Sequence, residues 1–85
     1  MEITDILTDL RALPTRIESE ADPMTRARLV GETLAAFAEI EAALKEVRRP
    51  AVVELRGQGL TLRAIGEELG LSASRVDQIS RGLSG

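Results

Sequence analysis

Between residues 72 and 81 the chain reads SASRVDQISR, a run of polar side chains set at helical spacing around two apolar ones. Gln78 carries the donor and acceptor pair that matches N6 and N7 of adenine, and Asp77 offers an acceptor for cytosine N4. The hydroxyls of Ser72 and Ser74 suit either bases or phosphate. Arg75 and Arg81 flank them with guanidinium groups suited to phosphate or guanine. A helix laid in the major groove touches base edges with its N-terminal, outward-facing residues. Ser72, Ala73, Ser74, Arg75, Asp77, Gln78 and Arg81 are therefore the candidate contacts to double-stranded DNA. Thr61, further upstream, fits the cap of a preceding helix, and its hydroxyl or that helix's first amides also suit a phosphate.

Such chemistry needs a scaffold, and residues 60–81, LTLRAIGEELGLSASRVDQISR, spell one out. Leu62, Ile65 and Leu69 recur at three and four, which puts them on one face of a short helix. Gly70 can take the left-handed conformation that ends a helix, and Leu71 supplies the apolar contact that accompanies such an end. Ser72 caps the next helix, whose buried edge is Val76 and Ile79. Gly66, four residues before the turn, leaves room for the second helix to cross close by. Arg63 and Glu67 read as a solvated i,i+4 pair. The competing reading is a helical hairpin that binds nothing.

The stretch ELRGQGLTLRAIGEELGLSASRVDQI, residues 54–79, resembles the helix-turn-helix of region four of the sigma-70 type sigma factors, which in that family reads the upstream promoter element. Arg75, Val76, Gln78 and Ile79 match the family pattern. Ala73, Ser74 and Asp77 stand where that pattern usually has arginine, glutamate and a basic residue. The resemblance thus implies a kept scaffold with an altered base-reading surface. The chain is also similar to small bacterial helix-turn-helix proteins of high-GC genomes, in which a helical N-terminal segment precedes the motif. At 85 residues it is too short for the other parts of a sigma factor, so the resemblance implies a stand-alone regulator.

Other chemistries find little support. The chain has no cysteine, histidine, tryptophan or tyrosine, and its single aromatic is Phe37. That removes disulfide frameworks, the usual zinc sites and His- or Cys-based nucleophiles, together with the aromatic platforms on which single strands stack. Glu67 and Glu68 are adjacent on a helix and point apart, a poor acid/base pair. No enzyme, metal or cofactor is expected. The acidic start MEITDILTDL is unlike a secretory signal and no apolar run is long enough to span a bilayer, so a cytoplasmic protein is expected.

Ahead of the motif the pattern is helical throughout. Ile3, Ile6, Leu7, Leu10, Leu13 and Ile17 keep a spacing of three or four, interrupted by Pro14, after which Thr15 with Glu18 fits a capping box that restarts the helix. Asp22 before Pro23 marks the start of a long helix. Val30, Leu34, Phe37, Ile40, Leu44 and Val47 form its apolar stripe, and Ala51 and Leu55 continue the register beyond Pro50. Proline should kink or interrupt the helix there, giving pieces of about residues 23–48 and 51–57, the second being the first helix of a three-helix unit ended by Gly57 and Gly59. Alanines 35, 36, 38, 42 and 43, with the Gly31/Ala35 pair, make the long helix narrow. Its stripe is either a homodimer interface or the seat of residues 1–21 folded back as a hairpin. The expected architecture is all-α: a helical hairpin or dimerisation segment over residues 1–49, a helix-turn-helix unit over 50–82, and a frayed tail at 83–85, with Gly82 at its edge.

Charge follows the same division. Residues 1–44 hold four arginines against nine acids, a net −5, and residues 45–85 hold seven basic residues against five acids, a net +2. Arg48, Arg49 and Arg56 either widen a phosphate footprint or complement a helix end. The expected function is a sequence-specific DNA-binding repressor acting as a homodimer. The alternative is a protein-interaction module that binds RNA polymerase, a sigma factor or a phage or plasmid factor through its acidic helices.

Overall fold

The computed structural model describes residues 2–83. Ser84 and Gly85, where the tail was expected, lie outside the described residues. Among those described the chain forms five α-helices and no strand: α1 Ile3–Arg11, α2 Leu13–Glu18, α3 Pro23–Gly57, α4 Leu62–Leu69 and α5 Ala73–Ser80. It divides into two units, Met1–Glu39 and Ile40–Gly85, with the boundary inside α3.

In the first unit the early apolar run is broken at Ala12, as the proline demands. The restart differs from the expected capping box. Pro14 lies in the first turn of α2, where a missing N–H costs nothing, and no side chain caps that helix. Ala12 keeps right-handed helical angles, φ −83° and ψ −10°, so the chain barely leaves its helical path and no new cap is required. The start of α3 follows the sequence closely. The Asp22 carboxylate accepts from the Thr25 amide at 2.9 Å and from its hydroxyl at 2.7 Å. These bonds, the hydroxyl's first, hold its pKa below the ordinary value of an aspartate.

At Pro50 the structure departs from the sequence reading: α3 is one helix through that position, not two. The proline removes a single backbone donor. Two residues on, Val52 is only 2% exposed in the core of the second unit, so packing beyond the proline retains the helix.

That core consists of Val52, Ile65, Val76 and Ile79, with Leu55, Leu60, Leu62 and Leu71 half-buried around it. All three helices of the unit end in the same way. Gly59, Gly70 and Gly82 take positive φ, 94°, 70° and 78°, and each is followed by a leucine whose amide reaches back five residues. Leu60 donates to the Leu55 carbonyl at 3.2 Å, Leu71 to Gly66 at 2.8 Å and Leu83 to Gln78 at 2.8 Å. Each glycine supplies the left-handed residue that turns the chain, and each leucine satisfies a carbonyl the helix would otherwise leave open. Gly82 and Leu83 therefore belong to the C-terminal cap of α5. In the first unit, by contrast, no described side chain is buried.

Candidate nucleic-acid interface

The turn between α4 and α5 is built from backbone upward. Thr61 caps α4 by accepting from the Ala64 amide at 3.1 Å, and Ser72 caps α5 by accepting from the Arg75 amide at 3.0 Å. Gly66 is buried, and a Cβ placed on it would collide with the Leu71 carbonyl oxygen and lie 3.4 Å from the Ser72 carbonyl carbon. The close approach that glycine permits is therefore to the turn itself, which then delivers α5, and not to the body of the second helix.

α5 has two edges of opposite character. Val76 and Ile79 are 0% and 4% exposed and anchor it to the core. Ser72, Ala73, Ser74, Gln78 and Arg81 are exposed, and Arg75 and Asp77 are half-buried beside them, so the seven candidate contacts share one polar edge. Thr61 is exposed at the start of α4. The polar edge is internally paired. Asp77 Oδ2 lies 3.4 Å from Arg81 Nη1, and Arg75 Nη1 donates to Gln78 Oε1 at 3.4 Å. Asp77 thus meets a cation four residues on, which offsets its negative charge on a surface suited to phosphate. Arg63 and Glu67 form the expected solvent-exposed pair at 3.4 Å.

Arg48, Arg49 and Arg56, near the end of α3, make contacts within the second unit. Arg56 Nη1 donates to the Leu60 carbonyl at 2.8 Å, bracing the turn after α3. Arg49 lays its guanidinium against Gly82, whose added Cβ would meet Arg49 Cζ at 3.2 Å. Lys45, Arg48 and Arg49 line a small cleft of about 80 Å³ with Ile79, Gly82 and Leu83. Cations so placed complement the carbonyl end of α5. Lys45 was not singled out from the sequence. Its spacing of three and four from Arg48 and Arg49 is the signal that places all three on one helical face.

The dimerisation candidates are uncovered. Exposure is 42% for Val30, 64% for Leu34, 36% for Phe37, 45% for Ile40, 61% for Leu44 and 67% for Val47. Val30, Leu34 and Phe37 line a groove with Leu10, Leu13 and Ile17 of the first two helices, yet remain open to solvent.

Two short helices joined through a glycine turn, the second anchored along one edge and polar along the other, with the end of a third helix completing the core, constitute a helix-turn-helix. Residues 42–82, just under half of the chain, match the family model described as Sigma-70, region 4, so this helix-turn-helix is similar to that DNA-binding class of domain. No curated protein and no solved structure matches the chain. Among the described residues no helix is long and apolar enough to cross a membrane.

Proposed function

We propose that the chain is a sequence-specific regulator that binds double-stranded DNA as a homodimer and represses by occupying its site. The observation that carries this reading is the polar edge of α5. Ser72, Ala73, Ser74 and Gln78 are exposed along it, Arg75 and Arg81 flank them, and Val76 and Ile79 fix its orientation from behind. On this reading Gln78 addresses adenine and the serines address bases or phosphate. The hydroxyl of Thr61 and the first amides of α4 meet the backbone. A dimer reads two half-sites about one helical turn apart or a multiple of it, so the operator has dyad symmetry.

Selection from random duplexes tests the proposal directly. The expected result is an enriched sequence with dyad symmetry, and footprinting beside the protein's own gene then locates the operator. A selection that enriches nothing would favour the rival reading, a module that docks on RNA polymerase, a sigma factor or a phage or plasmid protein. The observation in that rival's favour is the acidic charge of residues 1–44 together with Asp77 on the reading edge.

A further inference from the structure

The cleft at the C-terminal end of α5 gathers more positive charge than its surroundings answer. Lys45, Arg48 and Arg49 line it from α3 together with one carboxylate, that of Glu46, and Ile79, Gly82 and Leu83 complete the lining. Lys45 lies 3.3 Å from Glu41, but among the described residues neither Arg48 nor Arg49 makes an ion pair. Like charges at i,i+4, here Lys45 and Arg49, oppose the helix that carries them. Complementing the end of α5 explains the sign of these cations without using their donors. The carbonyls of Asp77, Gln78 and Ile79 are already taken by the amides of Arg81, Leu83 and Gly82, and none of the three cations donates to α5. One donor is stranded outright. Arg48 Nε is shut off from solvent and has no hydrogen-bond partner, a state that is costly for a charged group and rare in folded proteins.

We propose that this cleft is a binding site for one phosphate group, held by Arg48 and Arg49 with Lys45 in support. The donors select the ligand. The planar fork of arginine matches a phosphate with two parallel hydrogen bonds, and a grip through Nε and one terminal nitrogen employs the donor that is otherwise stranded. Arg49 is already seated: its guanidinium takes the space that Gly82 leaves, 3.2 Å from where a Cβ would lie. Room is sufficient, since the cleft holds about 80 Å³ and roughly 10–15 Å³ suffices for one water. Ile79, only 4% exposed, gives it an apolar wall, and a lowered local dielectric strengthens each hydrogen bond made there. Two sources carry such a group, a free phosphate and the backbone of a DNA duplex. Gly82 directly follows Arg81 of the polar edge, which brings the second source within the same unit. Only that source rests on the proposed function.

Titration of the full chain with sodium phosphate, against sodium chloride at equal ionic strength, tests the site without DNA. The Nε–H signals of Arg48 and Arg49 and the amide of Gly82 in nitrogen-resolved NMR spectra should shift saturably with phosphate alone. Arg48→Gln should weaken that binding by about tenfold or more. Arg48→Lys keeps the charge but not the fork, so it should not restore the affinity. Should a variant disturb the fold, the parent's phosphate-against-chloride comparison still decides. A short duplex of arbitrary sequence then identifies the source. If the DNA backbone supplies the group, Arg48→Gln should lower affinity alike for every sequence and reduce the salt slope by about one. If a free phosphate supplies it, the variant binds duplex as the parent does while its phosphate titration is weakened. A phosphate titration that is flat or reproduced by chloride, with duplex binding absent or unchanged in the variant, overturns the site. Failure of the duplex selection leaves the phosphate titration untouched, so the two readings fall separately.

Discussion

Gly66 is the residue with least latitude. A methyl there meets a backbone carbonyl that cannot swing aside, so Gly66→Ala should cost about 1–3 kcal/mol of stability by overpacking, read from urea unfolding. Gln78→Ala should cost about 1–3 kcal/mol on the selected duplex and relax preference at one base pair, as quantitative binding to single-position site variants would show. Asp77→Arg removes the partner of Arg81 and adds phosphate attraction. It should raise affinity for unrelated DNA while eroding discrimination, and unchanged binding to both duplexes in both variants would remove α5 as the reader. Asp22 makes a pH prediction. Its folded pKa is depressed below the ordinary 3.8 by the Thr25 hydroxyl and amide, so its contribution is complete above that value and lost as the pH falls through the depressed one. Asp22→Asn should flatten the part of an acid titration of helix content that lies below pH 3.8.

At the scale of the element, the helix-turn-helix was legible because each of its boundaries is local. Thr61 and Ser72 cap through bonds from amides three residues on, Gly70 turns the chain, and Val76 with Ile79 mark the buried edge by their spacing. Ser72→Ala should therefore cost about 1 kcal/mol, measured by thermal unfolding of the full chain. What the sequence concealed was non-local. Pro50 reads as a boundary when only its own backbone is considered, but Val52 in the core keeps α3 whole across it. Gly82 reads as the start of a tail until Leu83 is found bonded to Gln78. Thr15 and Glu18 fit a capping box by spacing alone, yet the chain never leaves helical angles at Ala12 and needs no cap. The placement of the candidate contacts along one edge of α5 could be foreseen. Their pairing, Asp77 with Arg81 and Arg75 with Gln78, depends on rotamers that spacing permits without choosing.

For the whole molecule, the acidic and basic halves set how binding responds to salt. Seven basic residues lie on the second unit, but Arg56 is committed to the turn after α3, and Arg63 and Arg81 are paired with Glu67 and Asp77. The fall of affinity with ionic strength should accordingly be shallow, a slope that titration at several salt concentrations would give. The apolar stripe of α3, exposed from Val30 to Val47, bears on how the proposed homodimer would behave in the cell. If DNA binding requires pairing, then while monomers dominate, doubling the supply of chains would raise the reading species about fourfold. Gene dosage, through replication or plasmid copy number, would then become an input to regulation.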